Sequence, residues 1–307
     1  MRAKSYVEDL MYGRRQSLLL GPGLALLSLL YRAASGARRA LYQSDILKNK
    51  RLPCKVISVG NITVGGTGKT PMVIAVAALL LENRKHPLVV SRGYGRQNES
   101  DTLLVSDGRS VLVDAHAGGD EPVLIGSKLP GVAVVVGRER YEAAQFALQR
   151  FSPDTIILDD GFQHLKLKRD LDIVLVDALD PFGNGKLFPA GILREPVTAL
   201  KRAQAVVITR ADASDTVEEL TKSIKCVTRA RIFTSTQRPL DLVDVGSGES
   251  KPLPVMRGKR ILAMSGIARP ASFRSLLTSL GAVVAAECIY PDHYHYQKTD
   301  LAEIFKK

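Results

Sequence analysis

The sequence contains no tryptophan and only 6% aromatic residues. It therefore lacks the stacking platforms on which single-stranded nucleic acids are held, and no recognised nucleic-acid motif replaces them. Its three cysteines, Cys54, Cys226 and Cys288, are odd in number, far apart and without a C-x-x-C pair. That spacing excludes a disulfide framework and a cysteine zinc cluster, and it fits a reducing compartment. No run of about 20 apolar residues occurs, the length a bilayer-crossing helix requires. Internal repeats and low-complexity segments are absent too.

What is present is a chain of 307 residues with 45% hydrophobic content, enough for two domains at roughly 100–200 residues each. Forty-three Lys and Arg against 31 Asp and Glu leave a net charge of +12, which points to an anionic partner. Half of that excess lies in residues 1–50, where nine basic residues meet only Glu8, Asp9 and Asp45. Within this region, residues 17–31 (SLLLGPGLALLSLLY) are uncharged and flanked by Arg14, Arg15 and Arg32. Too short to span a bilayer, and interrupted by Gly21-Pro22-Gly23, the stretch is expected to lie on or dip into a membrane with its arginines at anionic headgroups. A buried core helix is the competing reading. A signal peptide is not expected, because no small-residue cleavage site follows.

From residue 51 the chain alternates short apolar runs with helix-like segments, the pattern of a parallel sheet covered by helices. Strands are expected at 55–59, 87–91, 132–136, 155–159, 172–177 and 205–209, and helices at 71–83, 138–150 and 217–224. Runs such as VAVVV, TIIL and AVVIT are continuously apolar, as strands buried on both faces must be. A Pro/Gly/Ser-rich stretch at 239–254 precedes a fresh strand at 260–264 and a helix at 271–280. The expected architecture is α/β, a P-loop NTPase-type mostly parallel sheet with helices on both faces. A smaller C-terminal α/β domain and an apolar N-terminal helix complete it. The expected divisions are a membrane-associated segment at 1–50, a core at 51–230 and a small domain at 231–307.

The strongest chemical signal is VISVGNITVGGTGKTP, an apolar strand running into a glycine-rich turn and then a helix. Backbone N–H groups of Thr63, Val64, Gly65, Gly66, Thr67 and Gly68 would cradle nucleotide phosphates at the positive end of the helix. Lys69 would reach the transferred phosphate and Thr70 would bind Mg²⁺. The strict pattern asks for glycine at position 63, where Thr63 stands. TIILDDGFQH ends a second strand in Asp159 and Asp160, placed to hold Mg²⁺ beside the P-loop. Gln163 and His164 follow, and His164 could contact phosphate or orient an acid. GGDEP presents Asp120 and Glu121, candidates for accepting the acceptor hydroxyl's proton and for binding metal. Arg92 and Arg96 in SRGYGR, Arg138 and Arg140 after another strand, and Arg194-Glu195 after LFPAGIL would together form an anionic-ligand pocket. His293 and His295 in YPDHYHY have no further metal-ligand partner nearby in sequence, so a zinc site is not expected.

Taken in order, VGGTGKTP, SRGYGR, GDEP, LDDGFQH, PAGILREP, SGIARP and PDHYHY resemble the tetraacyldisaccharide 4'-kinase family, the lipid A 4'-kinases of Gram-negative bacteria. LDDGFQH together with PAGILREP is the more specific part of the match. The resemblance implies transfer of the ATP γ-phosphate to the 4'-hydroxyl of a tetraacylated glucosamine disaccharide 1-phosphate at the cytoplasmic face of the inner membrane. The resemblance implies that Asp120 is the base and that Lys69 and Thr70 serve phosphate and Mg²⁺; the pairing of Asp120 with His293 comes from the resemblance alone. Asp159, Asp160, Glu121 and Glu195 form the acidic shell, with Gln163, His164, Arg92 and Arg194 around it. The family pattern continues past the histidine motif with a helix and a strand carrying a T-E-K-D-like segment. This sequence ends at Lys307, so the small domain is expected to be truncated, and Tyr294 takes the motif's second histidine position. The alternative is a non-kinase P-loop NTPase acting as a switch or partition ATPase; TRAD at 209–212 has the outline of a guanine-reading loop with Arg210 in place of lysine.

Overall fold

The computed structural model describes residues 2–15, 17, 19–267, 269–291, 294, 296, 300 and 304. They fall into two compact units, 1–236 and 237–307. The larger unit is organised by eight strands: β1 (Lys55–Asn61), β2 (Pro87–Ser91), β3 (Leu103–Asp107), β4 (Ala133–Val136), β5 (Thr155–Asp159), β6 (Leu171–Asp177), β7 (Ala205–Thr209) and β8 (Arg231–Ser235). Their spatial order is β3-β4-β2-β5-β1-β6-β7-β8. Every pairing is parallel except β3 against β4 at one edge.

Helices α1 (Arg2–Met11) and α2 (Leu20–Gln43) precede this sheet, and α3 (Lys69–Glu82), α4 (Ala115–Gly118), α5 (Asp120–Lys128), α6 (Arg140–Leu148) and α7 (Val217–Val227) are interleaved with it. Strand alternation decides which face each side chain serves. Val59, Val89 and Ile157 point into one layer with Val73 and Ala77 of α3 and Ile125 of α5. Their neighbours Leu88, Val90, Ile156 and Leu158 point into the opposite layer with Ala143, Ala144 and Ala147 of α6. A third cluster, built on Phe162, Val174, Val176, Val206 and Ile208, extends that second face toward α7. The mostly parallel sheet with helices on both faces is therefore present.

Two expectations change. Gly21-Pro22-Gly23 does not break the N-terminal helix; it forms the first turn of α2, where proline forfeits no helical hydrogen bond. The core-helix reading also fails, since no residue of α2 is buried. Its half-covered positions, Gly21, Leu24, Ser28, Tyr31, Ser35, Gly36, Arg39 and Tyr42, follow a spacing of three to four residues, with Gly36 beside Ser35, and mark the one face laid on the protein. Leu26, Leu27, Leu29 and Leu30 are 53–61% exposed on the rest of the helix. No described helix is long and apolar enough to cross a membrane.

The boundary between the units falls after Thr236, because β8 pairs with β7 as the far edge of the large sheet. In the smaller unit, β9 (Asp241–Val243) and β10 (Ser250–Pro252) form an antiparallel hairpin within the stretch read as turn-rich. Strands β11 (Arg260–Ser265) and β12 (Val283–Ile289) pair in parallel around α8 (Pro270–Ser279).

Candidate active site

The site gathers at the carboxyl ends of β1 and β5, where the order of a doubly wound sheet opens a crevice. β1 delivers the glycine-rich turn, and α3 begins at Lys69 with Thr70 buried in its first turn. Gly65 and Gly68 adopt φ of 97° and 85°, values that a side chain would strain. Thr63 does not need that freedom. It is buried and bridges antiparallel to Leu193, while Val64 N–H donates to Ile192 O at 2.7 Å and Arg194 N–H to Ile62 O at 2.7 Å. The loop is thus stapled to the PAGILREP segment, and the departure from the strict pattern falls on a β-bridge rather than on the cradle. Inside the turn, Asn61 Nδ2 donates to Thr67 Oγ1 at 2.9 Å and Thr209 Oγ1 to Thr67 O at 3.0 Å. Arg210, ion-paired with buried Asp177, donates to Gly66 O at 3.0 Å. The TRAD segment therefore braces the phosphate loop through its arginine.

The two aspartates at the end of β5 have opposite environments. Asp160 sits at φ 51°, in the left-handed region an aspartate tolerates. That turn aims its carboxylate at Arg194, which donates at 2.7 and 3.0 Å, and at Lys69 Nζ, 3.9 Å away. Burial alone would raise its pKa, but Lys69 and then Arg194 outweigh burial and hold it below the usual carboxylate value. Asp159 is 2% exposed and accepts from Ser91 Oγ at 2.8 Å through Oδ2. Burial, followed by the charge of Glu121, pushes its pKa up to about 6 against the opposing Ser91 hydrogen bond and Lys69. Its Oδ1 is buried without a hydrogen-bond partner.

Asp120 and Glu121 open α5 in exposed positions, beyond Gly119 at φ 89°. A Cβ on Gly119 would lie 3.4 Å from Gly93 Cα, so the GDEP turn abuts the SRGYGR turn. Arg92 is half exposed and 3.8 Å from Glu99. Arg96 departs from the expected pocket: it is buried and donates to the carbonyls of Glu99 and Asp101, holding its own loop. Arg140 is buried at the start of α6, under the charges of Asp159 and Asp160, and burial lowers its pKa. His164 is driven down to about 4, first by burial and then by Arg140. It is neutral near pH 7 in the protein without nucleotide.

Glu195 is not placed as an acidic-shell ligand. Its oxygens accept from Arg202 at 2.8 and 3.0 Å, and Arg39 of α2 approaches to 3.5 Å. Gln163 donates to Glu195 at 3.1 Å and to Asn61 O at 2.8 Å, tying β1 to this ion pair rather than facing open solvent. A carboxylate committed to two guanidiniums has little left for a metal ion. His293 and His295 lie outside the described residues. Sequence reasoning missed Arg39, Asn61, Arg202 and Thr209: Arg39 and Thr209 meet their partners only through the fold, while Asn61 bonds Thr67 six residues on and Arg202 pairs with Glu195 seven residues back, and no local pattern marks them.

A P-loop whose lysine faces a strand-end aspartate that an arginine also holds, beside a buried second carboxylate, defines a phosphotransferase of the P-loop class. Residues 20–307 match the family model described as tetraacyldisaccharide-1-P 4'-kinase. The tetraacyldisaccharide 4'-kinase of Anaeromyxobacter sp. (strain Fw109-5) is 44% identical over 98% of this chain and 82% of its own. That of Syntrophus aciditrophicus is 44% identical over 92% and 78%. The crystal structure of Aquifex aeolicus LpxK in complex with ATP is 36% identical and superposes with a TM-score of 0.75 over 91% of this chain and 84% of that one. The chain belongs to the tetraacyldisaccharide-1-P 4'-kinase family.

One pH dependence follows from Asp159. Because its folded-state pKa lies above the ordinary carboxylate value, the folded protein binds that proton more tightly than the unfolded chain. The stabilising contribution is complete below about pH 4 and is lost as pH rises through about 6. Asp159→Asn is expected to remove this slope and to raise stability at pH 8 by on the order of 2–3 kcal/mol, measured by denaturant melts without nucleotide or divalent cation. An unchanged slope between pH 4 and 6 would transfer the effect to another group.

Proposed function

We propose that this protein is an ATP-dependent kinase that transfers the γ-phosphate to the 4'-hydroxyl of a tetraacylated glucosamine disaccharide 1-phosphate, a step of lipid A assembly. The observation that carries the reading is the placement of Lys69 against Asp160, a carboxylate also held by Arg194, at the lip of the glycine-rich turn. Phosphoryl transfer is chiefly positioning and charge neutralisation. The turn's N–H groups and the α3 N-terminus hold the phosphate chain. Lys69 neutralises the transferred group, and Asp160 with Arg194 fixes the ammonium's position.

Mg²⁺ fits the residues present. Asp159 offers a buried oxygen without a hydrogen-bond partner, and Thr70 stands in the first turn of α3. No group of three His, Cys, Asp or Glu side chains suited to a metal occurs among the described residues, so these two residues and the nucleotide's phosphates would hold the ion. When bound, it neutralises phosphate charge. Asp120, exposed at the start of α5, is the group assigned to take the acceptor hydroxyl's proton. Glu121 adds negative charge beside Asp159. Arg92 is assigned to the incoming anionic substrate.

Incubation with γ-labelled ATP and a tetraacyldisaccharide 1-phosphate is expected to give a doubly phosphorylated, labelled lipid. ATP hydrolysis without labelled lipid would overturn the assignment in favour of a nucleotide-driven switch.

The substrate's acyl chains would stay in the bilayer, with the protein held peripherally at the cytoplasmic face of the inner membrane. The exposed leucines of α2 and the arginines that follow them support this reading. Replacing Leu26, Leu27, Leu29 and Leu30 together by serine is expected to weaken partitioning onto anionic vesicles at least about tenfold. Sedimentation with vesicles measures it, and unchanged partitioning would remove α2 as the anchor.

A further inference from the structure

A cavity of about 250 Å³ lies between the last turns of α2 and residues 165–169. Arg39, Lys168, Arg169 and Arg202 line it, and no acidic side chain among the described residues does. Two acids neighbour these cations. Glu195 accepts from Arg202 at 2.8 and 3.0 Å, and Asp172 from Arg169 at 2.6 and 3.1 Å. Four positive charges against two negative leave an excess of two at the lining. Arg39 and Lys168 carry that excess. The Arg39 side chain is only 21% exposed, yet it approaches Glu195 no closer than 3.5 Å and makes no hydrogen bond among the described residues. A guanidinium so covered, with five N–H groups to place, calls for an acceptor. Lys168 is exposed and makes no ion pair among the described residues; nearby Asp170 is held by Lys55 at 3.2 Å and feels Lys168 only as a more distant charge.

We propose that this cavity binds the phosphodiester headgroup of an anionic phospholipid, with Arg39 donating to the phosphate oxygens and Lys168 adding its charge at the rim. The planar fork of a guanidinium matches a phosphate, and basic pockets of this kind take lipid headgroups. Gln43 and Asn49, also on the lining, offer amides to the hydroxyls of a glycerol headgroup. A choline headgroup would bring its own positive charge against the cations. The volume falls below the roughly 300–1,000 Å³ of sites for drug-sized ligands, which suits a headgroup whose acyl chains remain outside. The helix favours a lipid over a free anion. Arg39 lies about 14 Å along the axis from the exposed Leu30, and Leu41, 38% exposed, stands between Arg39 and Gln43. A helix lying in the interface brings these leucines and the cavity to headgroup depth. The assignment rests on the peripheral reading of α2 above.

Dihexanoyl phosphatidylglycerol, titrated as a monomer into the full chain without nucleotide, is expected to bind at least about tenfold more tightly than dihexanoyl phosphatidylcholine or inorganic phosphate. Arg39→Gln and Lys168→Gln should each raise its calorimetric Kd at least about tenfold, the loss of one charge-assisted contact. Arg38→Gln, which removes an exposed cation of the same helix, should raise it less than about threefold. Arg39→Gln leaves Arg202 both of its bonds to Glu195, so the melting temperature should hold; if it does not, Lys168→Gln reads the site. Equal losses from Arg38→Gln and Arg39→Gln overturn the proposal in favour of diffuse surface charge. Inorganic phosphate that binds as tightly as phosphatidylglycerol overturns the lipid assignment. A chain that binds no phosphatidylglycerol monomer, while its vesicle partitioning still depends on the α2 leucines, overturns the cavity's role and leaves the anchor standing. Failure of both measurements removes the two readings together.

Discussion

Lys69→Ala is expected to abolish measurable phosphoryl transfer, lowering kcat/KM by about 10³-fold or more, since a preorganised cation at the site of developing charge is among the largest catalytic terms. The fold should survive. Lys69 is one of two cations on Asp160, and the shorter pair, Arg194 at 2.7 Å, remains. Thr70, Val73 and Ala77 still seat α3 on the sheet. Measuring kcat/KM alongside a thermal melt separates the two effects. A variant with wild-type melting and a rate within tenfold of the parent would show that another cation carries the γ-phosphate. Lys69→Arg should not rescue fully, because a planar fork cannot reproduce a point charge 3.9 Å from Asp160.

Asp120→Asn carries the second large expectation. General-base assistance contributes about 10²–10⁴-fold, so kcat should fall by roughly that factor while the KM for ATP stays near the parent value. Stability should drop by no more than about 1 kcal/mol, the scale of removing one carboxylate from a helix N-terminus, because Asp120 is an exposed first-turn residue of α5. A variant that turns over near the parental rate would remove Asp120 as the base.

The sequence carried the centre of the fold more clearly than its edges. β5, β6 and β7 are buried over nearly their whole length, which forces continuous apolar runs and makes them readable. β8, RIFTS, is an edge strand with no fully buried residue. It therefore has no such run, and the expected domain boundary fell ahead of it. β3 pairs antiparallel at the opposite edge with a register irregularity, and no apolar run announces it either. In the site, motif spacing placed the glycine-rich turn and the two strand-end aspartates, because strand, turn and helix are contiguous in the chain. The acidic-shell role of Glu195 came from the family resemblance, and in the structure its oxygens are taken up by guanidiniums. Its partners, Arg202 seven residues on and Arg39 far upstream in α2, are brought to it only by folding. Nor could adjacency reveal that Asp159 and Asp160 titrate in opposite directions; that follows from which way the backbone turns at Asp160.

The segment from Leu187 to Glu195 has two clients. On one side it carries α2, through Ser28 Oγ to Leu187 O at 2.9 Å and Tyr31 hydroxyl to Arg194 O at 2.8 Å. On the other it clamps Val64 and bears the arginine that holds Asp160. A beam shared in this way transmits tilt as well as support. If α2 rests on a bilayer, the angle at which it settles becomes the angle at which the phosphate chain is presented, and headgroup composition would then tune reaction geometry as well as residence on the surface.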